Sequence, residues 1–207
     1  MQVRAARNKL ALYKPYNKQK DFHAAGKDNR ERLFMAGNQL GKTVAGSMEW
    51  AMHLTGKYPE WWEGRRFTKP GRYWAAGESG VSTRDTVQKL LVGPPEREEE
   101  WGTGSIPFKD IVDTQRGRSA PDGLDSIVVK HLSGGSSTLL FKSYEQGRAK
   151  WQGETLDGVW MDEEPPASIY TEAMTRTNAT DGIVIITFTP LRGMSEVVRM
   201  FLRPEIA

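Results

Sequence analysis

Cysteine is absent from the 207 residues, which excludes a disulfide framework and any thiolate nucleophile. No apolar run approaches the ~20 residues that span a bilayer, and the amino terminus has no apolar segment suited to a secretory signal. A reducing, cytosolic setting fits both observations. Histidine is scarce: His23, His53 and His131 are scattered without zinc spacing and read as ordinary surface or helix content. No internal repeat is present. Net charge is only +3, but it is unevenly spread. Residues 1–32 hold nine Lys or Arg against Asp21, Asp28 and Glu31, an excess that suits either contact with a phosphate backbone or a solvated arm. Basic residues further on, such as Arg65, Arg66, Lys69, Arg72, Arg116 and Arg118, form no single stripe. The length suffices for one α/β domain with a full core.

The most informative stretch is Ala36-Gly37-Asn38-Gln39-Leu40-Gly41-Lys42-Thr43. Its closing Gly-Lys-Thr fits a phosphate-binding loop, in which glycine lets backbone amides crowd around phosphate oxygens. The lysine reaches the β and γ phosphates, and the threonine hydroxyl serves Mg²⁺. Ala36 stands where the usual pattern has its first glycine, which is tolerable if φ there is negative. The context agrees. Residues 32–36 form a short apolar run suited to a buried parallel strand. Apolar residues at 44, 45, 48, 51, 52 and 54 then make one broad helix face ending near Gly56. Such a helix points its N-terminal amides and dipole at bound phosphate.

Leu156-Asp157-Gly158-Val159-Trp160-Met161-Asp162-Glu163-Glu164-Pro165 supplies the matching half. An apolar strand ending in Asp-Glu places Asp162 to hold the Mg²⁺ shell and Glu163 to polarise the water that attacks the γ-phosphate. The carboxyl ends of parallel strands are where such groups converge. ATP hydrolysis is the expected chemistry, with ATP and Mg²⁺ as the bound species.

Further strands are expected at 72–76, 126–130, 138–142, 158–162 and 183–188, the second and third joined as an antiparallel hairpin through Ser133-Gly134-Gly135-Ser136-Ser137. Helices are expected at 44–55, 82–92, 168–178 and 194–202, with Ser82 and Ser168 as N-caps. Strands alternating with helices imply a mainly parallel sheet covered on both faces. The region from Gly93 to Asp125 has little periodicity and reads as a long insertion or mobile loop, with Glu96 to Glu100 a solvated acidic run. Trp61 and Trp62 are assigned to core packing.

With both motifs placed, the sequence resembles the ATPase half of tailed-phage terminase large subunits, over most of its length. Four features carry the resemblance. Tyr16-Asn17-Lys18-Gln19-Lys20-Asp21-Phe22 resembles the family's adenine-recognition segment, with Gln19 pairing to the adenine edge and Phe22 supplying a ring. Residues 37–43 form the phosphate loop, with Asn38 where some relatives place an arginine. Ser143 to Gly153 contains Arg148, a candidate arginine finger acting on a neighbouring subunit's ATP. Thr187-Phe188-Thr189-Pro190 resembles the coupling motif, whose hydroxyls would sense the γ-phosphate or the attacking water.

The resemblance implies an ASCE-type P-loop α/β fold over residues 1–207. Residues 1–31 would form a basic arm with the adenine segment, and 32–207 the P-loop core. It implies catalytic roles for Glu163, Lys42 and Arg148, and nucleotide contacts from Gly37, Asn38, Gln39, Leu40, Gly41, Lys42, Thr43, Gln19, Phe22 and Thr189. Thr43 and Asp162 would hold metal. The expected work is translocation of double-stranded viral DNA into a procapsid, by a homo-oligomeric ring docked on the portal protein in the host cytoplasm. A small terminase subunit is the further partner, and no membrane is involved. No nuclease site is expected within these residues. A helicase or recombination motor, or a nucleotide-dependent DNA-binding assembly module, are the alternatives; no helicase motifs are found.

Overall fold

Strands β6 (Gly158–Asp162) and β7 (Ile183–Phe188) are buried at every position, as strands must be when helices cover both faces of a parallel sheet. A computed structural model of the chain describes residues 8–37, 40–190 and 195–202. Its seven strands include β1 (Glu31–Met35), β2 (Arg72–Gly77), β3 (Ile111–Arg116), β4 (Leu124–Lys130) and β5 (Ser136–Ser143). They are ordered β1-β7-β6-β2-β5-β4-β3. Every pairing from β1 through β5 is parallel, and β5-β4-β3 is antiparallel. The expected hairpin is β4-β5, in register Ser126 with Leu140.

The period-2 alternation of the strands sorts the core into two layers. Tyr73, Ala75, Trp160, Ile183 and Ile185 face α2 (Lys42–Thr55), which contributes Trp50, Ala51 and Leu54. Trp74, Met161, Val184 and Ile186 face the other way. There they meet Ile169, Tyr170 and Ala173 of α4 (Ala167–Thr177) and Val197 and Val198 of α5 (Glu196–Leu202). Trp62 is buried and Trp61 packs against the first layer. The start of the 194–202 helix candidate, Met194, lies outside the described residues.

Several expectations are corrected. Residues 8–31 are not a solvated arm. Leu10, Phe22 and His23 are buried, and α1 (Asn17–Ala25) packs on α2. Arg30 is spent on Gly182 O, Asn178 and Thr177, and Arg32 pairs with Glu49 in the interior. His23 and His53 are helix content, in α1 and α2, but all three histidines are buried rather than superficial. His23 and His53 both bond Glu49, at 2.7 and 3.2 Å, and His131 sits against Ser133.

The stretch from Gly93 to Asp125 is a folded wrap, not a mobile loop. Ser105 and Ile106 donate to Leu90 O and Leu91 O, Ile106 and Trp101 are buried, and β3 adds an edge strand. The helix expected from Ser82 begins earlier. Ser79 and Ser82 cap each other reciprocally, opening α3, which runs through Gly80–Ser82, a π-helical Thr83–Gln88 and Lys89–Leu91. At α4 the N-cap is Pro166, and Ser168 lies inside the helix.

Candidate nucleotide site

Strand order places β7 between β1, which leads into the phosphate loop, and β6, which ends in the acidic pair. Three strand ends therefore deliver Ala36, Thr187 and Asp162 to one edge of the sheet. Ala36 keeps φ negative, so alanine is unstrained there. Gly41 has φ 71 and ψ 17, a left-handed conformation that favours glycine, and α2 starts at the next residue. Asn38 and Gln39 lie outside the described residues.

The loop is braced from behind by α1. Gln19 donates through Nε2 to Gly41 O at 2.8 Å and accepts from Tyr16 N at 3.2 Å, while the Tyr16 hydroxyl donates to Leu40 O. Both ends of the Gln19 amide are thus engaged by backbone rather than presented to a base. Phe22 is likewise turned inward. It stacks on Phe34 at 5.0 Å between centroids, and the Arg32 guanidinium lies 4.8 Å from its ring centre. The expected adenine-stacking role of Phe22 is corrected on this ground: its faces serve the core.

Lys42 is buried at the loop's end, with Nζ 4.0 Å from Glu163 Oε1. Asp162 is also buried, and burial raises its carboxyl to about 6 against the opposing pull of hydrogen bonds from Thr187 and Thr43 and the nearby Lys42 charge. Thr187 Oγ1 donates to Asp162 Oδ1 at 2.8 Å. Thr43 and Asp162 therefore already face each other. Hard oxygen donors of this kind suit Mg²⁺, which takes its remaining ligands from water and phosphate rather than from a protein cage. Among the described residues there is no group of three or more His, Asp or Glu that would hold a metal alone.

Glu163 is a non-glycine residue at φ 66. That left-handed conformation costs on the order of 1–3 kcal/mol and persists only where surrounding contacts impose it. Here Glu163 N donates to Thr187 O at 2.8 Å, and the Tyr144 hydroxyl is shared between Glu163 O at 2.8 Å and Asp162 O at 3.0 Å. The Thr189 amide donates to Glu163 Oε2 at 3.3 Å. Tyr144 is a site residue that sequence reasoning misses; no spacing marks a tyrosine eighteen residues before Asp162 as its neighbour.

Arg148 lies in the 3₁₀ turn Arg148–Trp151. Its Nε bonds Glu172 Oε2 at 3.0 Å, and none of its described contacts is with Lys42, Asp162 or Glu163. The arginine side chain is 60% exposed while Glu172 is 5% exposed, with Arg176 on the other carboxylate oxygen.

A phosphate loop on an edge strand, an acidic pair on the next strand but one, and a strand inserted between them define the P-loop NTPase fold of the ASCE type. The family described as "Terminase large subunit, T4likevirus-type, N-terminal" matches residues 33–205. The large terminase subunit of Salmonella phage P22 is 46% identical over 216 residues, covering 95% of this chain and 43% of that protein. The chain belongs to the terminase large subunit family and spans less than half the length of that relative.

Solved structures agree on the fold. The large terminase ATPase domain of Thermus phage P74-26 superposes with a TM-score of 0.63 at 22% identity, over 94% of this chain and 72% of that one. The large terminase of a thermophilic bacteriophage, in complex with ADP, gives 0.56 at 16% identity, over 84% of this chain and 38% of that one.

Proposed function

We propose that this chain is an ATP-hydrolysing motor unit that drives double-stranded viral DNA into a procapsid. The observation carrying the reading is convergence. Lys42 and Glu163 face each other across 4.0 Å, and Asp162 is hydrogen-bonded by Thr43 beside them. Amides at the start of α2 and the Lys42 ammonium bind the triphosphate tail and neutralise charge as the γ-phosphoryl transfers. Glu163 orients a water in line with the γ-phosphorus and accepts its proton as the new P–O bond forms. The bond to the β-phosphate oxygen breaks, leaving ADP and phosphate. Thr43 and Asp162 would hold Mg²⁺, which would offset the negative charge of the phosphates.

Arg148 acts on the site of a neighbouring copy in a homo-oligomeric ring. Its exposure, and the absence of contact with its own Lys42, Asp162 and Glu163 among the described contacts, support that assignment. Duplex DNA, the portal protein and the small terminase subunit are the partners, with the ring docked on the procapsid in the host cytoplasm. Family membership and the identity with the phage P22 subunit support these roles.

Phosphate release with and without duplex DNA tests the reading. Glu163→Gln is expected to bind ATP normally and to lose roughly 10²–10⁴-fold in turnover, the usual contribution of a positioned base. Retained turnover in that variant rejects the base assignment.

A further inference from the structure

The first core layer contains a hydrogen-bond chain that ends on the metal-side carboxylate. Trp160 and Asp162 lie two residues apart on β6 and so point to the same face, and Thr187 of β7 is the register partner of Asp162. Trp160 is fully buried. Its indole Nε1 donates to Thr187 Oγ1 at 2.8 Å, and Thr187 Oγ1 donates to Asp162 Oδ1 at 2.8 Å. The direction of this chain is forced. Indole N–H is a donor only and an ionised carboxylate an acceptor only, so the single Thr187 proton must point at Asp162.

The helix above makes room for the indole. A Cβ on Gly46 of α2 would lie 2.6 Å from Trp160 Cε2, a clash that excludes any larger residue while the ring keeps its place. Gly46 therefore pairs with Trp160 in construction, four residues after Lys42. The indole is fully buried, and its N–H ends on a threonine hydroxyl rather than on a backbone carbonyl.

We propose that Trp160 is a positioning residue for the metal-nucleotide site. Through Thr187 it pins Oδ1 of Asp162 and so fixes the carboxylate that faces Thr43 and would face the cation. The inference rests on the ATPase reading above. Outer partners that orient a ligating carboxylate are each worth about 10–100-fold in metal affinity, and a chain of polarised bonds strengthens its charged end.

The test titrates MgCl₂ into protein with a fluorescent ATP analogue and reads the Mg²⁺ concentration giving half-maximal binding. Trp160→Phe and Thr187→Val are each expected to raise it by about 10-fold or more, while Thr187→Ser, which keeps the hydroxyl, stays near the parent. The double variant Trp160→Phe/Thr187→Val should match Thr187→Val alone, because the indole acts only through the hydroxyl. Independent, additive losses assign Trp160 to packing and overturn the proposal. An unchanged Mg²⁺ requirement in Trp160→Phe does the same. Should Trp160→Phe fail to fold, Gly46→Ala displaces the indole sterically and must show the same rise, or the proposal is lost. If the parent itself shows no Mg²⁺-dependent nucleotide binding, the functional reading fails instead.

Discussion

Gly41 and Tyr144 show how single residues hold the site in a conformation that the chain would otherwise avoid. At Gly41, φ 71 disfavours any Cβ, and a Cβ there would also lie 2.9 Å from Gln19 Nε2. Gly41→Ala is therefore expected to cost about 1–2 kcal/mol for the left-handed backbone, and to weaken ATP binding by releasing the Gln19 brace. Urea unfolding and nucleotide titration measure the two effects separately. Tyr144 acts on the neighbouring strained residue, since its hydroxyl is the donor to the Glu163 and Asp162 carbonyls. Tyr144→Phe removes one buried hydrogen bond, worth about 1 kcal/mol, and frees Glu163 to leave φ 66. Steady-state kinetics should show kcat falling while KM for ATP changes little, because ground-state phosphate contacts remain. A loss confined to KM contradicts that role.

At the scale of elements, the 3₁₀ turn carrying Arg148 is anchored from several sides. Trp151 Nε1 donates to Ser143 O, Lys142 Nζ donates to Lys150 O, and Glu172 of α4 holds Arg148 Nε. Glu172 is buried but keeps Arg176 as a second partner when Arg148 is removed, so Arg148→Ala should leave the thermal midpoint close to the parent. Its effect should appear only in assembly. A finger contributes on the order of 10³–10⁵ in rate, so Arg148→Ala is expected to abolish the activity that rises with protein concentration. Mixing it with Glu163→Gln, which keeps Arg148 but cannot turn over, should restore hydrolysis at the Arg148→Ala sites; no recovery removes Arg148 from a role in trans.

The elements differ in how legible they are in the sequence. Strands β1, β6 and β7 and helix α2 are readable because continuous apolar runs and a broad apolar face leave few alternatives. Strand β3 is not, since Ile111–Arg116 sits at the sheet's edge with most side chains exposed and so shows no burial pattern. The start of α3 is ambiguous because Ser79 and Ser82 are both competent caps, and their reciprocal bonding decides the matter. Gln19 and Phe22 stand out as functional candidates, but sequence cannot show that backbone and Phe34 already occupy them.

Across the whole molecule, one buried charge cluster joins the amino-terminal segment to the phosphate-loop helix. Glu49 of α2 meets Arg32 of β1, His23 of α1 and His53 of its own helix. Tyr13 and Tyr58 bond the outer nitrogens of the two histidines. Burial alone would raise the Glu49 carboxyl, but Arg32 and the two histidines outweigh it and hold the group well below its ordinary 4.5. Burial also lowers His53 from its ordinary 6.5, only partly offset by Glu49. Both folded values lie below the unfolded ones, so the unfolded chain binds more protons as pH falls. The His53 contribution is complete above about 6.5 and declines below it; that of Glu49 is complete above about 4.5 and declines as pH drops further. Asp162, raised to about 6, works in the opposite sense between its unfolded 3.8 and that value. The comparison that isolates the cluster is therefore parent against Glu49→Gln, in which the Asp162 contribution cancels. Removing one partner of a buried pair leaves Arg32 uncompensated, so Glu49→Gln should lower stability at pH 7 by about 3–5 kcal/mol. The gap between the two proteins in urea midpoint should then narrow as pH falls below 4.5, where the parent's carboxylate advantage is lost. A gap that stays constant down to about pH 3, well under the ordinary carboxylate range, would mean that the Glu49 charge does not bind the amino-terminal helix and β1 to the helix behind the phosphate loop.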